Sequence, residues 1–580
     1  MSKKLSTIRP RIIICLTICA FAVIITRLVS LQIHHFDRYN TLSLKNRFKI
    51  RTVNAKRGTI YDSHKQVVAQ DKAVYQLTPM TDDMKKLGSL DKFLHKHGIR
   101  SAPAKTSVPI EIPTSTALLK ISSQLHRYPV TLTTNYRRTY THPQDTAHVV
   151  GYFGRTTPEA LTKLPRHERP SFLVSGKTGI ELQYNDILSG MPGYIQEEKS
   201  AKGKLISEHM SFEPKQGQDI HLTIDLRLQK AALSCLQGHR GSIVAINPQN
   251  GDIVALVSSP SFNPNIFYDK SKQSKLKDTI QNKYMPLFNR STQGLYAPAS
   301  TIKPFIGAAA LDSKVIDRSY RIFDPGYYYI PGSKHRFNNW LPSGHGNVNY
   351  QKSLMVSCDT FFYDISYRLG IDKIREHLLK FGFGQTTGVF ENEKAGHVPE
   401  RSDNAPYPWT PGNTVITGIG QGKLLATPLQ LAQATATIAM RGHAYLPRII
   451  KGFGTHGQLN DMMPIQKSHT IDYDNAIWDD TISGMQKVMS SSGTGRRFAN
   501  YPIPIAGKSG TAQLVKIDRS KTLPDHLQDN TLFIAFAPVK QPEIAIAVVI
   551  ENEHIATKIA RDFMDEWYRI NYDSAPIQKD

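Results

Sequence analysis

Three short motifs, far apart along the chain, carry side chains that can react together only if the fold brings them to one place. They are STIK at residues 300–303, SCD at 357–359 and KSGT at 508–511. Ser300 and Lys303 are three residues apart, so on a helix they lie on one face and the amine can take the hydroxyl proton. The motifs therefore predict a serine nucleophile with a lysine base in a common cleft.

Order and context distinguish these motifs from similar triplets elsewhere in the chain. A serine and a lysine three apart also occur at 89–92 and 274–277, and KTG occurs at 177–179. The lysine-rich surroundings of 274–277 are typical of a solvated loop. Ser300, in contrast, precedes the small, apolar run at 305–311, which predicts a position at the N-terminus of a buried helix. Free N–H groups and the helix dipole favour negative charge there.

The third motif is expected on an edge strand of a sheet, because the apolar run at 532–537 that follows it is typical of a partner strand. Lys508 supplies a positive charge suited to a terminal carboxylate, and the hydroxyls of Ser509 and Thr511 are additional donors. Gly510 lets a substrate backbone approach closely, and the exposed strand edge can add an extended peptide.

The middle motif is expected on a turn between helices. There Ser357 passes a proton toward a leaving amine, while Asp359 accepts from a peptide N–H or orients Lys303. The alternative for Ser357 and Asp359 is helix capping. Lys303 must be neutral to act as a base, so we expect burial or a neighbouring cation such as Lys508 to favour its neutral form.

Together the motifs predict acyl transfer through a serine ester. The substrate is expected to end in a carboxylate. The backbone N–H groups of Ser300 and Thr511 are expected to form an oxyanion hole, in which each donor is worth on the order of 10² to 10³ in rate.

The N-terminal segment predicts a membrane anchor. Four basic residues and no acidic ones occur among the first eleven, and an apolar stretch follows from 12 to 33. Its length suits one spanning helix, with the N-terminus in the cytoplasm and the rest of the chain outside. The sequence at 20–22 resembles a signal-peptidase site, but the apolar run continues beyond it, which favours an uncleaved anchor.

Length and composition indicate a multi-domain protein. The chain has 580 residues, and 72 Lys and Arg against 48 Asp and Glu give a formal charge of +24. No nucleic-acid-binding motif accompanies this charge, so we expect no nucleic-acid partner. The charge favours proximity to anionic lipid and an acidic cell-wall polymer, or forms a solvated basic face.

Four cysteines are too few for a disulfide scaffold. Cys15 and Cys19 lie in the predicted anchor. A bridge between Cys235 and Cys358 is possible by count, while a free thiol or a metal ligand suits the position of Cys358 in the middle motif better.

We predict an α+β fold in three parts: a cytoplasmic tail and transmembrane anchor at 1–35, an elongated pedestal domain at 36–218, and a catalytic domain at 219–580. Strands at both ends of the last part, with helices between them, predict an antiparallel sheet flanked by helices. The Asn250–Gly251 pair predicts a hairpin at its start. GIGQGK at 418–423 lacks the spacing of a phosphate-binding loop, and we interpret it as a structural turn near the site.

Phrases across nearly the whole chain carry a family resemblance. They are RGTIYD at 57–62, AHVVGY at 147–152, PLFNR at 286–290, FDPGY at 323–327, PGSKHR at 331–336 and SCDTFFY at 357–363. With the three ordered motifs, which are an established signature of penicillin-binding proteins and class A β-lactamases, the chain resembles class B penicillin-binding proteins of the PBP2 group. That group belongs to the rod-shape elongation machinery.

The resemblance implies a serine D,D-transpeptidase of the inner membrane, with its catalytic domain in the periplasm. Such an enzyme cleaves D-Ala-D-Ala of a peptidoglycan stem peptide and passes the acyl group to a neighbouring stem amine during lateral wall growth and shape maintenance. β-Lactams would acylate Ser300 as substrate mimics. A RodA-like polymerase and an MreC-like activator are the implied partners, contacted through the pedestal and the anchor. The chemistry requires no cofactor.

Some members of this family hold a structural zinc ion with two aspartates, a histidine and a cysteine. Matching by position gives Asp324, His345 and Cys358, but the second aspartate falls on Asn339. Thiolate and imidazole suit zinc, whereas a neutral amide is a poor ligand, so the resemblance leaves a structural zinc ion at these four residues open.

Two other functions remain open from the sequence. A D,D-carboxypeptidase would share the acylation step and deacylate with water; a β-lactamase fits the anchor and pedestal less well. A non-catalytic scaffold that senses β-lactams through acylation is the alternative outside enzyme catalysis, and the complete motif set disfavours it.

Overall fold

The computed structural model describes residues 2–79, 83–99, 110–112, 114–155, 174–200, 205–267, 273–404, 406–513, 524 and 527–573. The chain divides into two compact units. Residues 1–56 and 189–217 form the first, and residues 57–188 and 218–580 form the second.

Helices occur in both units. In the described part of the chain the α-helices are α1 Ser2–Val29, α2 Phe36–Arg47, α3 Met84–Lys96, α4 Ser115–Leu125, α5 Pro143–Val150, α6 Gly179–Gln183, α7 Asn185–Ser189, α8 Leu226–Cys235, α9 Gln273–Ile280, α10 Lys303–Asp312, α11 Tyr350–Met355, α12 Asp359–Lys380, α13 Pro411–Gly418, α14 Pro428–Ala439, α15 Asn475–Val488 and α16 Ala556–Tyr568. Single 3₁₀ turns lie at Pro264–Phe267, Ala299–Ile302, Arg401–Asn404 and Arg496–Phe498, and π turns at Ser30–His34 and Arg569–Asp573.

The strands are mostly short. Within the described ranges they are β1 Phe48–Val53, β2 Ile60–Tyr61, β3 Val67–Pro79, β4 Ile110–Ile112, β5 Val130–Tyr140, β6 Phe153–Arg155, β7 Val174–Gly176, β8 Gly193–Lys199, β9 Leu205–Phe212, β10 Asp219–Leu222, β11 Gly241–Ile246, β12 Ile253–Ser259, β13 Ile322–Asp324, β14 Tyr327–Tyr329, β15 Arg336–Asn338, β16 Gly346–Val348, β17 His443–Tyr445, β18 Ile450–Thr455, β19 Gln458–Met462, β20 Lys467–Thr470, β21 Ala506–Ala512, β22 Asn530–Ala537 and β23 Ile544–Ile550.

The first unit contains the predicted apolar helix. A segment of 23 residues, Ile12–His34, has a mean hydropathy of 2.7 and exposes its apolar side chains. At about 1.5 Å per residue it is roughly 35 Å long, enough to cross a bilayer core. The segment therefore fits a single membrane anchor. The same unit contains an antiparallel sheet in the order β1-β8-β9.

In the second unit, one sheet joins strands from both predicted extramembrane domains. Its order is β19-β18-β10-β2-β3-β4, with β5 also paired to β3. Strand β10, from the predicted catalytic domain, pairs in parallel with β2 and antiparallel with β18. The compact units thus divide the chain differently from the 36–218 and 219–580 bounds, which stay a prediction.

A buried ionic network lies beside this sheet. Both carboxylate oxygens of Glu181 accept hydrogen bonds, from Arg57 Nε at 2.7 Å and from Arg138 Nε at 2.6 Å. All three side chains are buried. Although burial opposes ionisation, the guanidinium groups of Arg138 and Arg57 lower the pKa of Glu181. Arg57 is the first residue of the RGTIYD phrase, so that phrase has a structural role here.

The catalytic sheet confirms the predicted α+β arrangement. Its antiparallel order is β12-β11-β23-β22-β21, so β21, which carries the KSGT motif, is an edge strand paired to β22 as predicted. The β11–β12 hairpin turns at Asn250–Gly251, where Gly251 has a φ of +77°. This left-handed conformation favours glycine.

Both faces of this sheet are buried. Alternate residues of β11, β22 and β23 join one apolar core with α10, α12 and α14, and the residues between them join a second core with α8 and α16. Helices α8 and α16 therefore pack on one face of the sheet. The serine–lysine motif at 274–277, predicted in a loop, instead lies on the short helix α9, and Ser274 is exposed there.

We expect Glu181→Gln to lower the free energy of unfolding by about 3–5 kcal/mol, because it removes the negative charge that two buried guanidinium groups share. The control is Glu111→Gln, which breaks a 2.6 Å pair with Arg137 whose side chains are 45% and 41% exposed. That loss should stay below about 1 kcal/mol. Thermal melting of the full chain measures both, and equal losses would contradict the assignment.

Candidate active site

Ser300 lies on the 3₁₀ turn Ala299–Ile302, directly before α10, which places it near the start of a buried helix as predicted. Ala299 has a φ of +50°, and its N–H donates to Gly420 O at 2.8 Å. A Cβ atom on Gly420 would lie 2.1 Å from Ala299 O. The GIGQGK segment is therefore a structural turn beside the site, as predicted, and it supports the backbone next to Ser300.

Lys303 joins the first motif to the middle motif. Its side chain is fully buried, and Nζ donates to Ser357 O at 2.9 Å, Ser357 Oγ at 3.2 Å and Asp359 Oδ1 at 2.7 Å. Three donated bonds describe the protonated amine. The hydrogen bonds of the described residues include none between Lys303 Nζ and Ser300 Oγ, because Nζ is directed to the Asp359 carboxylate.

The middle motif lies on the predicted turn, between α11 and α12. Ser357 has a φ of +57°, a left-handed conformation that costs a residue other than glycine about 1–3 kcal/mol and recurs at functional sites. The N-cap residue of α12, Cys358, makes no capping hydrogen bond with its side chain. Asp359 instead pairs with Lys303, and its Oδ2 accepts the N–H of Trp340 at 3.2 Å. The geometry thus favours orientation of Lys303 over helix capping.

Lys508 is fully buried on β21, and its Nζ donates to Ser509 O at 3.0 Å. Burial holds the pKa of Lys508 well below its ordinary value, and the positive charge of Lys303 adds to this, while Asp359 acts in the opposite direction. The expected role of Lys508 as a cation that faces a carboxylate stays a prediction, whereas its depth was not predicted. The sequence does not reveal which face of a strand is solvated.

The other residues of the KSGT motif line the cleft. Ser509 Oγ donates to Thr494 Oγ1 at 2.9 Å, and Thr511 O accepts from Gln421 Nε2 at 3.2 Å. A Cβ atom on Gly510 would lie 3.0 Å from Thr301 Cγ2. Close packing of the strand on the nucleophile's turn is thus a reason for glycine here, in addition to the expected approach of substrate.

A cleft of about 1750 Å³ unites these motifs. Ser300, Ser357 and Asp359 line it together with the edge strand. Among the lining residues that sequence reasoning did not assign to the site are Trp340, Gln421 and Thr494. The only signals for them were glycines, which flank Thr494 and Gln421 in the sequence; nothing marked Trp340.

A second polar cluster adjoins the middle motif. Asp324, His345 and Cys358 each have a side-chain atom that could bind a metal, and these three atoms lie within 4.8 Å of one another. The Asn339 side chain is hydrogen-bonded among them. Although burial opposes ionisation, hydrogen bonds from Thr360 and other donors lower the pKa of Asp324 to about 2. Burial, together with the Asp324 charge, raises the pKa of Cys358 to about 12.

The thiols of Cys235 and Cys358 are both free, so the bridge left open by the sequence does not form.

Family models match two parts of this chain. A model described as "Penicillin binding protein transpeptidase domain" matches residues 241–565, more than half of the chain. The chain belongs to the penicillin-binding proteins. A second model, "Penicillin-binding Protein dimerisation domain", matches residues 52–222. This range includes the strands β2 to β10.

Relatives confirm the resemblance to the PBP2 group. The "Peptidoglycan D,D-transpeptidase MrdA" of Acinetobacter baumannii is 36% identical over 96% of this chain and 86% of its own. PBP2 of Helicobacter pylori, solved in complex with MreC, has a TM-score of 0.74 and 26% identity over 90% of this chain and 99% of its own. A chain from the structure of a peptidoglycan synthase complex has a TM-score of 0.75 and 25% identity. The match covers 99% of this chain and 100% of that one.

We expect Lys508→Met to raise the melting temperature at pH 7, with a gain that shrinks as the pH rises toward about 10.4, the ordinary lysine value. The pKa of Lys508 is depressed in the folded state. Below about pH 10.4 the unfolded chain therefore binds more protons, and this residue costs stability that is regained as the pH rises.

Melting temperatures of wild type and variant between pH 7 and 10 test this. Lys540→Met, at an exposed position, is the control and should show no such trend. A Lys508→Met difference that is independent of pH would contradict the burial argument.

Proposed function

We propose that this chain is a peptidoglycan D,D-transpeptidase that is acylated at Ser300 by a donor stem peptide. The observation that carries the proposal is Lys303, which is hydrogen-bonded to Ser357 and Asp359 at the cleft that Ser300 and β21 line. The family match and the D,D-transpeptidase activity for which the Acinetobacter baumannii relative is named support it.

In the proposed reaction, Ser300 Oγ bonds to the carbonyl carbon between the two D-alanines, and the C–N bond breaks. The terminal D-alanine leaves with a proton on its amine. An amine of a neighbouring stem peptide then attacks the ester, forms the new amide and returns its proton to Ser300. Each step is an acyl transfer, so atoms and charges balance without a redox partner.

Proton movement runs through Lys303 and Ser357 in this proposal. The resting hydrogen bonds describe protonated Lys303, so Nζ first passes a proton to the Asp359 carboxylate, 2.7 Å away, and the neutral amine then accepts the proton of Ser300. Ser357 Oγ, 3.2 Å from Nζ, is the neighbouring carrier toward the leaving amine. Asp359 keeps Nζ in place through its 2.7 Å contact.

The donor peptide extends along β21 as an added strand in this proposal. N–H groups of Ser300 and Thr511 bind the oxyanion, and the hydroxyls of Ser509 and Thr511 bind the terminal carboxylate. Arrival of that anion favours the protonated form of buried Lys508, which then balances its charge.

The remaining proposals concern place and partners. The basic N-terminus lies in the cytoplasm, α1 crosses the inner membrane, and the catalytic part is periplasmic. Partners are a RodA-like polymerase and an MreC-like activator, supported by the PBP2–MreC and synthase-complex neighbours. β-Lactams act as inhibitors. The chemistry needs no cofactor, because side chains and backbone N–H groups supply the nucleophile, the proton carriers and the anion donors.

Labelled penicillin tests the nucleophile. We expect Ser300→Ala to abolish covalent labelling of the full-length protein and mass mapping to place the wild-type adduct on Ser300. The matched control is Ser274→Ala, in the serine–lysine motif at 274–277 on helix α9. This variant should label like wild type. An adduct elsewhere, or undiminished labelling of Ser300→Ala, would refute the assignment.

Lys303→Ala should slow penicillin acylation by about 10² to 10⁴, the usual contribution of a positioned acid or base. A time course of penicillin labelling measures the acylation rate. Lys540→Ala, at an exposed lysine, serves as the control. Near-normal acylation of Lys303→Ala would remove this residue from the mechanism.

Product analysis with a reconstituted polymerase separates the alternatives. Cross-linked stem peptides that depend on Ser300 support the transpeptidase. Release of D-alanine without cross-links identifies a carboxypeptidase, and penicillin labelling with neither product identifies a sensor.

A further inference from the structure

The cluster beside the middle motif differs from a zinc site at one residue. The family resemblance implies an aspartate at position 339, and this chain has an asparagine there. Since Asn339 is buried among the other three members of the cluster, the direction of its amide decides whether a cation fits.

Two backbone donors fix that direction. Asn339 Oδ1 accepts the N–H of Trp340 at 2.8 Å and the N–H of Asp359 at 3.2 Å. A flipped amide would place its NH₂ group against both of these donors. The N–H of Trp340 would keep its contact with Asp359 Oδ2, at 3.2 Å, but the N–H of Asp359 would lose Asn339 as its acceptor. The NH₂ group of Asn339 must therefore face the cluster.

This NH₂ group lies among the atoms that a metal would need. Asn339 Nδ2 is 2.5 Å from Asp324 Oδ2, 3.0 Å from His345 Nδ1 and 3.8 Å from Cys358 Sγ. Zinc ligands are acceptor atoms at about 2.0 to 2.3 Å from the ion. At position 339 the expected carboxylate ligand is therefore missing. The NH₂ group of Asn339, a hydrogen-bond donor with partial positive charge, faces the other three side chains instead.

The carboxylate of the cluster is already satisfied by hydrogen bonds. Asp324 Oδ1 accepts from Thr360 Oγ1 at 2.7 Å and from Gly326 N–H at 2.8 Å. Its Oδ2 accepts the amide of Asn339 and the backbone N–H of His345 at 2.9 Å. The carboxylate that would attract a cation thus already accepts hydrogen bonds from donors that the chain itself provides.

One buried atom of the cluster has no partner among the described residues: Nε2 of His345. The two nitrogens of an imidazole ring point in diverging directions, and Nδ1 is the one directed at Asp324, at 2.7 Å. The unpartnered atom therefore does not face the space among the ligand atoms.

We propose that Asn339 replaces the metal in this chain. Its amide joins Asp324 to the N-terminus of α12 through the N–H of Asp359, and so holds the middle motif without zinc. Asn339 is a positioning residue: it acts on Asp359, and through Asp359 on Lys303. Stability and penicillin acylation of this protein are then independent of zinc supply and of chelators.

The wild-type protein gives the first test. Full-length protein purified with and without added zinc should contain less than about 0.1 zinc per chain, well under the single ion a structural site holds. Its melting temperature and rate of penicillin labelling should not change with chelator or zinc. One zinc per chain, with a fall in melting temperature on chelation, would overturn the proposal while leaving the acylation chemistry at Ser300 intact.

Asn339→Asp gives the second test, because it restores an acceptor and places a second carboxylate beside Asp324. Without metal this variant should melt lower and label more slowly than wild type, since two like charges are buried together. Zinc should bind at one per chain, raise its melting temperature by at least about 3 °C and restore labelling.

Asn338→Asp is the matched control: the same chemical change on the neighbouring, exposed residue. It should respond to neither zinc nor chelator. If Asn339→Asp behaved like wild type in chelator and took up no zinc, the amide would not be what excludes the metal, and the proposal would fail.

Discussion

A buried cation with three acceptors organises the catalytic centre. Lys303 is fully buried, and its ammonium donates to the backbone and hydroxyl of Ser357 and to Asp359. An unpaired charge at this depth would be very costly, so the pairing holds α10 against the junction of α11 and α12. The distance between the nucleophile's helix and the middle motif follows from this one side chain.

The catalytic sheet positions the third motif against the other two. Because both faces of β22 and β23 are packed in apolar cores, the edge strand β21 is attached to a rigid support. Gly510 lets that strand contact the turn of Ser300 closely. The buried side chain of Lys508, on the same strand, is near enough to Lys303 for their charges to interact. Three distant segments therefore form one cleft.

Asp359 connects this centre to the Asn339 cluster. One carboxylate oxygen accepts Lys303, the other accepts the N–H of Trp340, and the backbone N–H of Asp359 donates to Asn339. The middle motif is thus held from two sides, by an ammonium group and by an amide. An amide needs no metal supply, and its hydrogen bonds are directional, so it can take over the geometric task of an ion.

The amino-acid sequence by itself determined the apolar anchor, the three motifs, the edge strand and the hairpin at Asn250–Gly251, because each depends on local periodicity or on turn residues. Only the tertiary structure decided that Lys508 is buried, that the Asn339 amide faces Asp324, and that β2 pairs with β10. Each of these depends on neighbours through space: the depth of a side chain, the direction of an amide and the partner of a strand are set by residues far away in the chain.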